Sequence, residues 1–374
     1  MATDPLARIV ESGVSPWLDD LSRARLASGN LTELIRTRHV VGVTTNPTIF
    51  DKAIADGEAY AEQVAALAAA GAGVEEAVRA MTTDDVRAAA DVFAAELPQA
   101  RPGDARVSIE VDPRLAHDTE GTIAQARELW SLVDRSNVYI KIPATPEGLL
   151  AITEVISEGI SVNATLIFDV DTYRAVALAY LDGLERAKAA GVDLSAIASV
   201  ASVFLSRIDA KIDPVLEGIG TPEALELRGT AAIAGARATY GAYLEIIGSP
   251  RWQSLAQAGA QVQRPLWAST GTKNADYPDT MYVDQLVVAD VVNTMPEKTL
   301  QASFDHARVP AGEDAFDTVT DTVSDAVATL EAVVRVGVPY EEIIATLTRE
   351  GVESFIASWE NLLATVTAAL QDAA

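Results

Sequence analysis

Eight short runs rich in β-branched and aromatic residues recur along the chain, nearly all of them separated by helical stretches. They fall at about 17–20, 40–45, 106–111, 138–144, 160–168, 198–204, 265–270 and 286–293. Runs of this length and composition read as strands. Between them the pattern is helical: a leading helix at about 4–12, a stretch at 21–37, and segments over 49–97 broken near 71–73 and 81–83. Helices follow at 119–134, 146–158 and 171–190, then a long excursion at 209–257 in which Pro214 and Pro222 read as starts. Closing helices are expected at about 316–336 and 340–370, and Thr82-Thr83-Asp84-Asp85 reads as a helix cap followed by first-turn acids. Strand–helix alternation to a count of eight predicts an α/β fold of the (β/α)8 TIM-barrel type, one domain over 1–374 with extra helices. A doubly wound open sheet is the alternative. It would usually bind a nucleotide through a glycine-rich first turn, and no Gly-x-Gly-x-x-Gly follows any of these strands.

Composition removes several classes of chemistry. There is no cysteine, so disulfides, thiol catalysis and cysteine-ligated metals are excluded. The three histidines, His39, His117 and His306, are scattered without ligand spacing, which argues against a metal centre or a serine–histidine triad. A net charge of −26 disfavours nucleic acid and acidic membranes as partners. It would also repel a phosphorylated substrate, so a phosphate site has to gather its own cations. The N-terminal residues show no basic region followed by an apolar one, and no apolar run reaches membrane-spanning length. The expectation is a cytoplasmic protein. Nothing in the sequence specifies an oligomeric state.

Alternate residues of a strand share a face. That parity puts Trp17 with Asp19, Thr44 with Asn46, Ser108 with Glu110, and Tyr139 with Lys141. It likewise puts Ser161 with Asn163 and Thr165, and Ser202 with Phe204. The opposite face of each run is mostly apolar and would pack on the helices. The polar sets lie toward the C-terminal ends of their strands, where barrel enzymes place their active sites. Lys141 is the central case. A lone lysine in Val-Tyr-Ile-Lys-Ile-Pro-Ala could snorkel to water or pair with an acid. Buried, it tends to lose its proton and becomes a nucleophile able to form a Schiff base with a carbonyl. Agreement of several strands on one polar face favours the second reading.

Asp19 suits a general acid/base acting on a substrate hydroxyl, with Asp20 the better candidate for capping the helix that follows. Glu110, isolated in a β-branched strand, should pair with Lys141 or hold a water for proton transfer. A glycosidase pair of Asp19 and Glu110 is conceivable but gives Lys141 no purpose. Arg207, after the sixth strand, and Lys273, in Ala-Ser-Thr-Gly-Thr-Lys-Asn after the seventh, are the anion-site candidates. That loop lacks the spacing of an ATP-binding phosphate loop.

Six segments carry a family resemblance. Trp-Leu-Asp-Asp-Leu-Ser-Arg (17–23), Gly-Val-Thr-Thr-Asn-Pro-Thr-Ile-Phe (42–50) and Ile-Glu-Val-Asp-Pro-Arg-Leu (109–115) are followed by Tyr-Ile-Lys-Ile-Pro-Ala-Thr (139–145), Val-Asn-Ala-Thr-Leu-Ile-Phe (162–168) and Val-Phe-Leu-Ser-Arg-Ile-Asp (203–209). In this order, over roughly 17–300, the chain resembles transaldolases. The resemblance implies a (β/α)8 barrel and a cofactor-free aldol transfer in the pentose phosphate pathway. A dihydroxyacetone unit would pass from a ketose phosphate such as fructose 6-phosphate to an aldose phosphate such as erythrose 4-phosphate. It implies Lys141 as the Schiff-base lysine and Asp19 as the acid/base for the C4 hydroxyl. Glu110 and Thr165 would handle a water, and Asn46 and Asn163 would bind the dihydroxyacetone hydroxyls. Ser202, Phe204 and Arg207 would line the sugar and phosphate site, with Thr44 beside the substrate. One departure stands out: the best-known members carry a second phosphate-binding arginine after the seventh strand, in an Ala-Ser-Phe-Arg-like motif. Here Lys273 takes that role two residues displaced, without the bidentate fork of an arginine. The rival expectations are a related aldolase that releases free dihydroxyacetone and a catalytically silent sugar-phosphate-binding barrel.

Overall fold

The computed structural model describes residues 4–312 and 315–373, so Met1-Ala2-Thr3, 313–314 and Ala374 of the expected 1–374 unit lie outside the described residues. Eight parallel strands close into a barrel in sequence order: β1 Val14–Leu18, β2 Gly42–Val43, β3 Arg106–Glu110, β4 Val138–Pro143, β5 Val162–Ile167, β6 Ser199–Phe204, β7 Gln263–Ala268 and β8 Val291–Met295. The (β/α)8 architecture expected from the alternation is therefore present. Val107, Ile109, Ile140, Ile142, Val162 and Ala164 are fully or almost fully buried.

Register brings the polar faces together. Glu110 stands opposite Lys141, Lys141 opposite Asn163, and Pro143 opposite Thr165. Inside the lumen, layers stack along the axis. Near the bottom, buried Arg264 pairs with Asp104 at 2.8 Å and donates to Ser15 at 2.9 Å. Above it the rings of Trp17 and Tyr139 stack at 5.9 Å. The Trp17 ring also explains the glycine in β2: any Cβ on Gly42 would meet it at 2.3 Å.

Several element boundaries differ from the sequence expectation, each for a local reason. β1 starts at Val14, earlier than 17–20, and runs through Pro16, whose carbonyl still accepts from Val41 N–H at 2.9 Å. The stretch at 21–37 divides into helices Arg23–Ala27 and Asn30–Thr37, with Gly29 in the left-handed region between them. Helix Val74–Glu96 passes unbroken through 81–83. Thr82 and Thr83 are no cap: their hydroxyls donate back to the carbonyls of Val78 and Arg79 at 2.9 and 2.7 Å. Pro214 does not begin a helix but lies inside helix Ser206–Ile219. The last strand is β8 at 291–295, not 286–293. Asp290 takes a left-handed conformation just before it, and the apolar run at 286–288 is a buried loop, with Val287 accepting from Thr318 N–H at 2.8 Å. Helix Glu297–His306, not among the expected elements, follows directly.

The longest helix, Tyr340–Ala373, closes the molecule. It packs on helix Pro47–Ala55 and reaches β5, and so lies over the C-terminal end of the barrel. A Cβ on its Gly351 would come within 3.0 Å of the Leu166 side chain, at the irregularity in β5 where Leu166 has a positive φ.

Candidate active site

Lys141 sits near the C-terminal end of β4, with its side chain directed into the lumen and 5% exposed. Helix Pro146–Ser157 fixes that strand end closely: a Cβ on Gly148 would come within 2.0 Å of the Pro143 carbonyl oxygen, and Thr145 caps the helix. Lys141 Nζ donates to the Thr45 carbonyl at 3.2 Å and lies 3.7 Å from Glu110 Oε1, an ion-pair distance too long for a hydrogen bond. The Phe355 ring of the C-terminal helix faces it at 5.3 Å. The ammonium therefore does not snorkel to solvent.

Glu110 is almost fully buried, and among the described residues neither carboxylate oxygen accepts a hydrogen bond. Desolvation pushes its pKa up to about 7, against the attraction of Lys141 and with added repulsion from Asp19. Asp19 directly follows β1, and its N–H donates to the Met295 carbonyl at 2.8 Å. Burial raises its pKa too, opposed by a hydrogen bond from Thr44 and the charge of Lys141. Thr44 Oγ1 donates to Asp19 at 2.6 Å and lies 2.7 Å from Thr294 Oγ1. Since Thr44 has one hydroxyl proton, Thr294 must be the donor of the second bond.

A cleft of about 200 Å³ opens from Lys141 toward solvent. It brings together Asp19, Thr44, Asn46, Thr165, Ser202, Phe204, Arg207 and Lys273, all predicted from the sequence. Asn46 caps helix Pro47–Ala55, its side-chain oxygen accepting from Ile49 N–H at 3.0 Å, which leaves the amide N–H groups for a ligand. Thr165 Oγ1 is buried without a hydrogen-bond partner among the described residues. Two predicted residues lie outside the lining of this cleft. Glu110 borders a separate cavity, and Asn163 lies deeper, accepting from Ser202 at 2.7 Å and donating to Ser108 at 3.0 Å.

At the cleft's outer wall Arg207, at the start of helix Ser206–Ile219, lies over the Phe204 ring at 5.5 Å. Its burial lowers its pKa, opposed by the charge of Glu350. Lys273 is exposed on the loop after β7. Among the described residues neither side chain makes an ion pair with the protein, in a chain whose acids outnumber its bases 54 to 28. The loop is anchored from below: Tyr277 donates to Asp213 at 2.6 Å and Tyr282 to Asp209 at 2.7 Å. Burial raises the Asp209 pKa to about 6.

Sequence reasoning missed Thr294 and Phe355. Thr294 follows from parity once β8 is placed at 291–295, because it then shares a face with Val292 and pairs in register with Trp17. Phe355 carries no local signal, since only tertiary packing of the last helix brings it to Lys141. Among the described residues no group of three or more His, Asp or Glu side chains converges as a metal site.

Fold and cleft together define a (β/α)8-barrel enzyme with a buried lysine and two carboxylates at the C-terminal end of its strands. The model of the transaldolase/fructose-6-phosphate aldolase family matches residues 16–366. The chain is 58% identical over 365 residues to a protein named Transaldolase 1 of Streptomyces coelicolor, covering 98% of this chain and 94% of that one. It is 56% identical over 371 residues to a transaldolase of Acidothermus cellulolyticus, covering 99% and 98%. To a transaldolase of Mycolicibacterium smegmatis it is 56% identical over 364 residues, covering 97% of each chain. The chain belongs to the transaldolase/fructose-6-phosphate aldolase family.

Proposed function

We propose that the protein is a transaldolase, moving a dihydroxyacetone unit from a ketose phosphate to an aldose phosphate through a Schiff base on Lys141. The observation that carries this reading is the position of Nζ, buried on β4, 3.7 Å from Glu110 and open to the cleft that holds Asp19 and two unpaired cations. The amine of Lys141 adds to the C2 carbonyl of the ketose phosphate. Glu110 and Thr165 handle the water lost as the carbinolamine becomes an imine. The protonated imine then accepts the electron pair of the breaking C3–C4 bond while Asp19 takes the proton of the C4 hydroxyl. The aldose phosphate departs and the enamine waits for its acceptor. Addition to the acceptor aldehyde and hydrolysis reverse these steps.

Asn46 and Thr44 orient the three-carbon unit, Asn163 braces the lumen beneath it together with Ser202, and Arg207 and Lys273 hold the phosphate. A transferase has to keep its enamine from being protonated by anything but the acceptor step. Phe355 over Nζ and Phe204 in the wall present ring carbon there, which favours transfer over release of free dihydroxyacetone. No helix among the described residues is long and apolar enough to cross a membrane. We place the reaction in the cytoplasm and in the pentose phosphate pathway, with sugar phosphates as the partners and neither nucleic acid nor membrane. Borohydride reduction with fructose 6-phosphate, followed by mass spectrometry, is expected to fix a dihydroxyacetone adduct on Lys141. An unmodified Lys141, or activity surviving Lys141→Ala, overturns the reading.

A further inference from the structure

The C-terminal helix meets the site a second time, one turn beyond Phe355. Trp359 is 8% exposed, and among the described residues its Nε1–H has no hydrogen-bond partner. It borders a cavity of about 20 Å³ that shares only Asn46 with the substrate cleft and is also lined by Glu110, Arg79 and Gln125. A cavity of this size has room for one water. An indole N–H can only donate and an ionised carboxylate can only accept, so the two cannot be satisfied by anything apolar. A single water accepting from one and donating to the other satisfies both.

Each of the other polar residues around the cavity already makes at least one contact within the protein, Asn46 with Ile49 and Thr82 with Val78 among them. Arg79 pairs with Glu128 at 3.3 Å, and Gln125 accepts the N–H of Asp112. The charged groups facing Glu110 are Lys141 on β4, Asp19 after β1, and Arg79 on helix Val74–Glu96. Among the described residues the C-terminal helix brings only the neutral Phe355 and Trp359 to this region.

We propose that Trp359 is a positioning residue for Glu110, its Nε1–H holding a water in this cavity that hydrogen-bonds the carboxylate. The inference rests on the reading of Glu110 as the group that handles water during imine formation. In that role Glu110 needs an ionised form sustained by something other than the reacting amine. The bridged water supplies a hydrogen bond that persists while Lys141 is covalently occupied. It also joins the last helix of the chain to the proton chemistry of β3.

The chain has five tryptophans, so protein labelled with 15N-tryptophan shows few indole N–H resonances, and Trp359→Phe identifies the one from Trp359. That resonance is expected to move between about pH 5 and about pH 9 with a midpoint near the Glu110 pKa of about 7, and to stay still in Glu110→Gln. An indole resonance that does not titrate in the native protein overturns the proposal, as does one that titrates unchanged in Glu110→Gln. The kinetic arm follows Lys141 adduct formation against pH. Trp359→Phe keeps an aromatic ring and removes the donor, so the acid limb should move up by roughly half a unit with an unchanged plateau. A lowered plateau with an unmoved limb marks a packing role and overturns the proposal. If native Lys141 forms no adduct at all, the functional reading fails, and the indole titration still decides whether the water bridge exists.

Discussion

Glu110 is a carboxyl group that the fold holds against its own solvation. Its folded pKa of about 7 lies above the ordinary value of 4.5, so the folded state binds a proton more tightly than the unfolded chain does. Ionisation of Glu110 costs the fold nothing while both states are protonated, and stability is lost as pH rises from about 4.5 through about 7. Glu110→Gln is therefore expected to raise stability at pH 8 by on the order of 3 kcal/mol and to leave it unchanged near pH 4. Thermal melts at the two pH values check this, and equal gains at both would remove the electrostatic cause. On the proposed mechanism the same variant should also slow adduct formation, the destabilising charge being kept for chemistry. Thr294 is the other residue to test at this scale, because its hydroxyl reaches Asp19 only through Thr44. Thr294→Val is expected to lower kcat about fivefold, the worth of one neutral hydrogen bond, with KM within twofold. An increase in KM alone would make Thr294 a substrate contact instead.

The elements that matter most here are the C-terminal helix and the start of helix Ser206–Ile219. The former places Phe355 over Lys141, and on the proposed mechanism its ring shields the imine and the enamine from water. Phe355→Ala should raise the fraction of turnovers that release free dihydroxyacetone and lower transfer to erythrose 4-phosphate. Product partition measured with and without acceptor checks this, and an unchanged ratio would show that the ring serves packing alone. The latter element carries Arg207, with Lys273 facing it from the loop after β7. Arg207→Met is expected to raise KM for fructose 6-phosphate about 10–100-fold, the worth of one or two charge-assisted hydrogen bonds. Lys273→Met, exposed and without a bidentate fork, should cost less. Neither should affect reaction with free dihydroxyacetone, which has no phosphate, and a parallel loss there would move these cations out of the anion site.

At the scale of the whole molecule, a net charge of −26 surrounds a cleft that has to admit phosphate esters. In the proposed phosphate site Arg207 and Lys273 act at contact distance, whereas the acidic surface acts over a Debye length. Raising sodium chloride from about 0.01 M to about 0.15 M shortens that length from about 30 Å to about 8 Å, so kcat/KM should rise. A fall would show that Arg207 and Lys273 dominate at long range as well as at contact. The barrel itself makes the site possible by its closure. Trp17 on β1 and Thr294 on β8 stand in register across the seam, so the second hydroxyl of the Thr294–Thr44–Asp19 relay comes from a strand far along the chain.

How much of this was legible beforehand depends on how local the cause is. Strand parity is a property of the backbone, and it put Lys141, Glu110, Thr165 and Ser202 on the lumen side from the sequence alone. The alternation likewise pointed to an α/β fold, and its count of eight, with no glycine-rich turn after any strand, favoured the barrel over a doubly wound sheet. Errors came where packing overrode local preference: a pair of threonines satisfied inside a helix, a proline carried within one, and an apolar run at 286–288 used as a loop. Lys141 was identifiable as the exceptional residue of its strand. Its surroundings were not, since the Thr45 carbonyl, the ring of Phe355 and the indole of Trp359 reach it or its partner Glu110 only through tertiary packing. The sequence by itself determined which side chains of a correctly placed, regular strand face the lumen, because a period of two is a property of the strand backbone. Only the tertiary structure decided how strongly Glu110 holds its proton and what covers the lysine, because desolvation and contact depend on segments far apart in the chain.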